Sequence, residues 1–335
     1  MDRVRQWKGP LLFVAAIVFV ALIIFREVLD PEKILFTTDD NIGALAFVKR
    51  SLPGAFQGWW SDGPLMGMAS GPLNSNWSWR LLSWLDLKLY SDWVHAIDLG
   101  IGSLFFGWFL RLKKFSGAAV FIGVMTAYWT GTNLTLTYAG HLLKYGTLMF
   151  AGIALLAIEQ TVRAVEEVGG ARASGRRAAW AIVSGVSVGL MFVEQVDVAL
   201  FIGVFLGGYA LFRMFPGKGR EGRMRLAVLG LMAVASSVAI PYMLNTKRTS
   251  VDAVGGPAVE QSPEEKWNFI TQWSFPPEDM IDFVAQGYTG WRTGEQAGPY
   301  TGRMGQTPGW HTGPGGQQGF RNFKLENVYL GAIPV

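Results

Sequence analysis

The chain has 335 residues, 50% of them hydrophobic and only 16% charged, with a formal net charge of +4. Soluble domains carry about 25% charged residues, so an ordinary soluble fold is excluded once the apolar residues prove to be clustered in long runs. Cysteine is absent, which excludes disulfides and thiolate metal sites and fits an oxidising or a reducing compartment equally.

The first apolar run, Leu11 to Leu29, follows Arg3, Arg5 and Lys8. A basic start and an apolar core also describe a signal peptide, but no small-x-small cleavage site follows. The run is therefore expected to be an uncleaved first transmembrane helix. Next comes a long connection, residues 30–92, holding Trp59, Trp60, Trp77, Trp79 and Trp84. Tryptophan favours the headgroup layer of a bilayer, so short amphipathic helices lying on the membrane are expected there.

Six more apolar runs follow, near Val94–Leu110, Ala118–Leu134, Tyr145–Ile158, Ala178–Phe192, Val198–Phe212 and Leu226–Leu244. Backbone in hydrocarbon must satisfy its own hydrogen bonds, which makes these runs helices. They neither alternate nor shorten as the strands of a membrane barrel would. A second long connection, residues 245–326, is rich in Gly, Pro and Gln, and Val328–Val335 begins another apolar run. The expected fold is an all-α polytopic transmembrane helical bundle, about seven spans plus the start of an eighth, with two long outer loops. Its parts are a first helix (1–29), an outer loop (30–92), a six-helix bundle (93–244), a second outer loop (245–326) and an incomplete span (327–335). The expectation is that this is the front part of a longer protein, whose full length activity requires.

Orientation follows from Lys and Arg. The N-terminal cluster, Arg111–Lys114, Arg163–Arg177 and Arg213–Arg225 occupy every second connection of seven spans. Lys and Arg concentrate on the cytoplasmic side. The expected location is thus a bacterial inner membrane with a cytoplasmic N-terminus and both long loops outside. Membrane lipid is an expected partner and nucleic acid is not.

Candidate chemistry lies in the outer connections. Asp39 and Asp40, in Thr37-Thr38-Asp39-Asp40-Asn41, offer hard oxygen ligands for magnesium, manganese or calcium, or a general base. The alternative is a helix N-cap, since an apolar stretch follows. His141 and Lys144, three residues apart in Gly140-His141-Leu142-Leu143-Lys144, suit a phosphate or pyrophosphate. A snorkelling lysine beside an interface histidine explains them equally. Glu194 and Asp197 interrupt an apolar hairpin, and carboxylates near a bilayer are costly and usually functional. A solvated turn is their plainer explanation. His95 and Asp98 read as a helix-packing pair, and His311 has no partner visible in sequence. Asn76-Trp77-Ser78 and Asn133-Leu134-Thr135 match the glycosylation sequon, a triplet too common to count.

On these residues the chain resembles the multi-pass GT-C glycosyltransferases, and among them the bacterial YfhO-like membrane proteins. The resemblance rests on Asp39-Asp40, on Gly58-Trp59-Trp60-Ser61-Asp62-Gly63-Pro64-Leu65-Met66-Gly67, on Gly140-His141-Leu142-Leu143-Lys144, and on Ser274-Phe275-Pro276-Pro277-Glu278-Asp279. It implies transfer of a sugar from a polyprenyl-phosphate donor to a cell-envelope acceptor at the outer face, often with a divalent metal, magnesium or manganese. Asp39 or Asp40 would be the base or a metal ligand. His141 and Lys144 would contact the donor phosphate. Glu194 and Asp197 would position metal or acceptor, the metal ligands being Asp40 and Glu194. The tandem acid departs from the single acid usual in that class. Two other functions fit a polytopic chain: a lipid or oligosaccharide transporter, which needs polar or broken helices at mid-membrane, and a non-catalytic assembly protein.

Overall fold

Apolar runs bounded by capping residues set the helices. In the computed structural model the described residues are 2–37, 39–61, 68–70, 72–167, 171–215, 219–244, 262–263, 267, 277–285 and 288. Ten α-helices are present among them: α1 (Asp2–Ile24), α2 (Ile42–Ser51), α3 (Trp77–Trp84), α4 (Leu87–Leu112), α5 (Gly117–Tyr128), α6 (Gly131–Ala139), α7 (Leu142–Glu166), α8 (Ala171–Glu194), α9 (Val196–Met214) and α10 (Gly219–Ser236). A two-stranded antiparallel ribbon, β1 (Trp59–Ser61) with β2 (Met68–Ser70), pairs Trp60 with Ala69. The architecture is all-α apart from this ribbon. Five helical segments are long and apolar enough to cross a membrane: Leu87–Leu112, Leu142–Glu166, Ala173–Glu194, Val196–Met214 and Glu221–Leu244. They mark the chain as a membrane protein.

The chain falls into two compact units. The larger comprises Met1–Tyr128 and His141–Val254; the smaller comprises Trp129–Gly140 and Gly255–Val335. In the larger unit α4 and α7 run parallel. His95 stands edge-on to Tyr145 at 4.7 Å, and Lys113 reaches Glu159 at 3.4 Å near the other end. Between these levels glycines let the backbones approach. A Cβ on Gly102 would meet the Met149 Cα at 3.2 Å, and one on Gly152 would meet the Gly102 carbonyl oxygen at 2.8 Å. Small residues at helix contacts are the usual means of close packing in lipid. Helix α8 runs back along α7, its Glu194 against Gly146 and its Arg177 on the Ala164 carbonyl. Gly185 and Gly189, four apart on one face of α8, abut Met232 and Ser236 of α10. The first helix packs antiparallel to α4, with Phe13 at Gly107 and Ile17 at Gly100.

The run expected as one span at Ala118–Leu134 is two helices. Helix α5 stops at Tyr128, and the Thr130 hydroxyl accepts the Asn133 amide to start α6. Twelve residues of α5 reach about 18 Å, short of the roughly 30 Å hydrocarbon layer. Thr130 and Thr135 supply local side-chain bonds to the backbone there in place of apolar surface. Helix α6 ends at Gly140, whose φ of 78° is the left-handed conformation glycine accepts readily.

The expected outer loop 30–92 contains α2 and α3, and these helices pack on the bundle. Leu45 of α2 and Leu81 and Leu82 of α3 share a core with Tyr90 and Val94 of α4 and Leu142 of α7. Lys49 fastens α2 to α3 by donating to the Leu82 and Leu85 carbonyls at 2.7 and 2.5 Å. Trp60 and Trp84 stay exposed, while Trp77 is drawn into a buried contact described below. Most of 245–326, with His311, and all of 327–335 lie outside the described residues. In the smaller unit a 3-10 segment, Pro277–Phe283, carries buried Asp279 and Asp282. Of the expected Ser274–Asp279 motif, 274–276 fall outside the described residues.

Candidate functional site

The site assembles where the chain enters α7. Gly140 turns α6 off, and His141 becomes the N-terminal flanking residue of α7. Its imidazole lies between two charged partners. Lys144 Nζ is 2.7 Å from Nδ1, and Asp39 Oδ2 is 3.3 Å from Nε2. An ammonium only donates, so Nδ1 is the acceptor and the ring proton sits on Nε2, facing Asp39. Burial lowers the affinity of His141 for a second proton; the Lys144 charge lowers it further, against the pull of Asp39 and Asp197. The imidazole is therefore neutral at pH 7. Asp39 comes from the first connection, His141 and Lys144 from the start of α7, and Asp197, in the first turn of α9, acts on them through its charge.

Asp40 plays a different part. Its Oδ2 accepts the Leu142 amide at 3.2 Å, tying the first connection to the start of α7, and its backbone carbonyl accepts from the Thr37 hydroxyl. Burial pushes the Asp40 carboxyl up to about 6; the Leu142 amide opposes the shift and the Asp39 charge adds to it. Asp39 remains exposed. The N-cap expected of this segment is Asn41, whose side chain accepts the Ala44 amide at 3.0 Å.

Glu194 does not join the cluster. It is 4% exposed, and its carboxylate accepts from Trp77 N at 2.6 Å, Ser78 N at 3.3 Å and Ser78 Oγ at 2.6 Å. A carboxylate at a helix N-terminus satisfies amides that the helix itself leaves open. Glu194 thus anchors α3 to the bundle. Trp77 completes the link by donating its indole N–H to Asp98 at 2.8 Å, and Tyr90 donates to the Ser78 carbonyl at 3.0 Å. His95 and Asp98 lie beside this network rather than facing solvent; the two His95 nitrogens and one Asp98 oxygen have no hydrogen-bond partner among the described residues. No local sequence signal links Glu194 to Ser78, since they are 116 positions apart. Asn76 before Trp77 does signal a helix start, and its side chain caps Trp79.

Of the two residues expected to share a divalent cation, Asp40 accepts the Leu142 amide through Oδ2 and Glu194 accepts from the start of α3. No group of three or more His, Asp or Glu among the described residues is placed to hold a metal ion. What the arrangement offers is an exposed carboxylate oriented by a neutral imidazole, with a half-buried ammonium next to it. No family model matches the chain, and neither a curated protein nor a solved structure is similar to it.

Proposed function

We propose that the chain is a membrane-embedded glycosyltransferase that moves a sugar from a polyprenyl-phosphate carrier to a cell-envelope acceptor. The observation that carries the reading is the Asp39–His141–Lys144 chain of contacts, a base and a phosphate-binding cation joined through one imidazole. The donor class comes from the motif resemblance; the geometry supplies the charges such a donor needs. In this scheme Asp39 takes the proton of the acceptor hydroxyl as that oxygen attacks the anomeric carbon. The bond from that carbon to the phosphate oxygen breaks, and the phosphate leaves with the electron pair. Lys144 offsets its growing charge, and Asp197 keeps Lys144 and His141 in place electrostatically. His141 holds the Asp39 carboxylate in one orientation. The scheme needs no metal.

The orientation belongs to the same proposal. This reading takes seven crossings: α1, the five long segments and the segment of α5, which runs back along α4 with Gly123 at Leu110 and Tyr128 at Gly102. The basic turns then face the cytoplasm of a bacterial cell and the His141 cluster faces outward.

The test is sugar transfer from a polyprenyl-phosphate donor by the full-length protein in membranes. Asp39→Asn is expected to lose roughly 10²–10⁴-fold in rate, the usual worth of a positioned general base, while Asp40→Asn keeps most activity. Full transfer by Asp39→Asn removes the catalytic assignment.

A further inference from the structure

At the end of the bundle away from His141, the last turns of α4 and the whole of α5 enclose an open groove of about 380 Å³. It is lined by Phe106, Leu110, Phe115, Ala119, Gly123 and Thr126, with Ala127 at its far end. Its walls are apolar in effect, because the Thr126 hydroxyl is spent on the Ile122 and Gly123 carbonyls at 3.0 and 3.1 Å. Along α5 the lining runs from Ala119 to Ala127, about 12 Å at 1.5 Å per residue. At its Phe115 end the groove meets three cations, since Arg111, Lys113 and Lys114 lie in the chain between its lining residues Leu110 and Phe115. Lys113 turns to Glu159. Arg111 and Lys114 are exposed and form no ion pair among the described residues; Arg111 donates to the Phe115 carbonyl at 2.7 Å and so holds the groove mouth in shape.

This end is positively charged well beyond those two residues. Lys113, Arg163 and Arg213 all contact the single buried carboxylate of Glu159, which leaves two positive charges uncompensated. On α7, Glu159 lies eighteen residues beyond His141, about 27 Å along the axis and close to the thickness of a bilayer's hydrocarbon. A cationic layer at that depth meets lipid phosphates.

We infer that this groove is a binding site for an anionic phospholipid, with one acyl chain between α4 and α5 and its phosphate on Arg111 and Lys114. The inference is independent of the sugar-transfer reading, because its readout is binding alone. Purified full chain in a neutral detergent is titrated with phosphatidylglycerol, phosphatidylcholine or sodium phosphate, and bound lipid is counted by native mass spectrometry. Tight retention of phosphatidylglycerol over phosphatidylcholine is expected. Arg111→Gln with Lys114→Gln should weaken it roughly thirtyfold, at about a fivefold loss per removed charge. Ala119→Phe, which fills the groove from an exposed position and leaves every charge in place, should weaken it as well. Equal binding of both lipids overturns the inference, and so does undiminished binding by Ala119→Phe or competition by sodium phosphate as effective as by the lipid.

Discussion

Asp39 and Asp40 are neighbours with opposite surroundings. Asp40 is mostly buried and titrates near 6, above the ordinary carboxylate value of 3.8. A raised acid binds more protons in the folded state, so its contribution to stability falls as pH rises from about 4 to about 6. Asp40→Asn keeps an oxygen for the Leu142 amide and removes the buried charge. It is expected to be more stable than the native chain at pH 7.5 by about 1–3 kcal/mol, with the difference gone near pH 4. Thermal unfolding in detergent across that range checks it; a pH-independent difference would mean the charge is not the cause. At Glu194 the expectation is the reverse. Glu194→Ala leaves the first amides of α3 without a partner and should cost about 1–3 kcal/mol, seen as earlier proteolysis of the Trp77–Trp84 region. In sequence, Asp39, Asp40, His141, Lys144 and Asp197 were legible as ionisable groups at or beside connections, and of these Asp39, His141 and Lys144 are in contact in the structure. The division of labour was not legible, because it depends on which side chain meets an amide 102 or 117 positions away.

Helix contacts here depend on missing side chains. A Cβ on Gly146 would come within 2.8 Å of Glu194 Oε2, and one on Gly189 within 2.7 Å of the Ser236 carbonyl. Gly146→Ala must push the Glu194 side chain off the N-terminus of α3. Gly189→Leu must separate α8 from α10, with a cost of about 1–3 kcal/mol typical of overpacked contacts. Both should lower the unfolding temperature, whereas Gly207→Ala, which faces open space, should leave it unchanged. The long helices were legible from apolar runs, with ends extended by a turn or more because capping residues such as Asp86 lie outside the runs. The break between α5 and α6 escaped that reading, since hydropathy averages over the Thr130 cap. The packing of α2 and α3 on the bundle escaped it too, because an amphipathic helix looks alike on a membrane and on a protein.

Across the whole molecule, charge is sorted into two layers on α7, Lys144 near its start and Glu159 with Arg163 near its end. If the proposed orientation holds, a single cysteine at Ser116, in a chain with none of its own, should resist a membrane-impermeant maleimide in intact cells. One at Gln57 should react. The opposite pattern would put the His141 cluster in the cytosol and end the sugar-transfer reading. The layering was visible in the sequence as basic residues in alternate connections, but their gathering around one carboxylate was not.

Glu159 draws its partners from three stretches of chain, Lys113 lying 46 positions before it and Arg213 54 positions after it. While the protein is being made, α7 emerges from the ribosome well before Arg213 exists. Lys113 and Arg163 already face that acid by then, so the charge still in need of a partner is that of Arg213 itself, and Glu159 gives α9 an electrostatic reason to be received beside α7 rather than released into lipid alone. Biogenesis of this chain is then a matter of timing as well as hydropathy, and Arg213→Gln should be felt first as poor insertion yield, before any change in the finished protein.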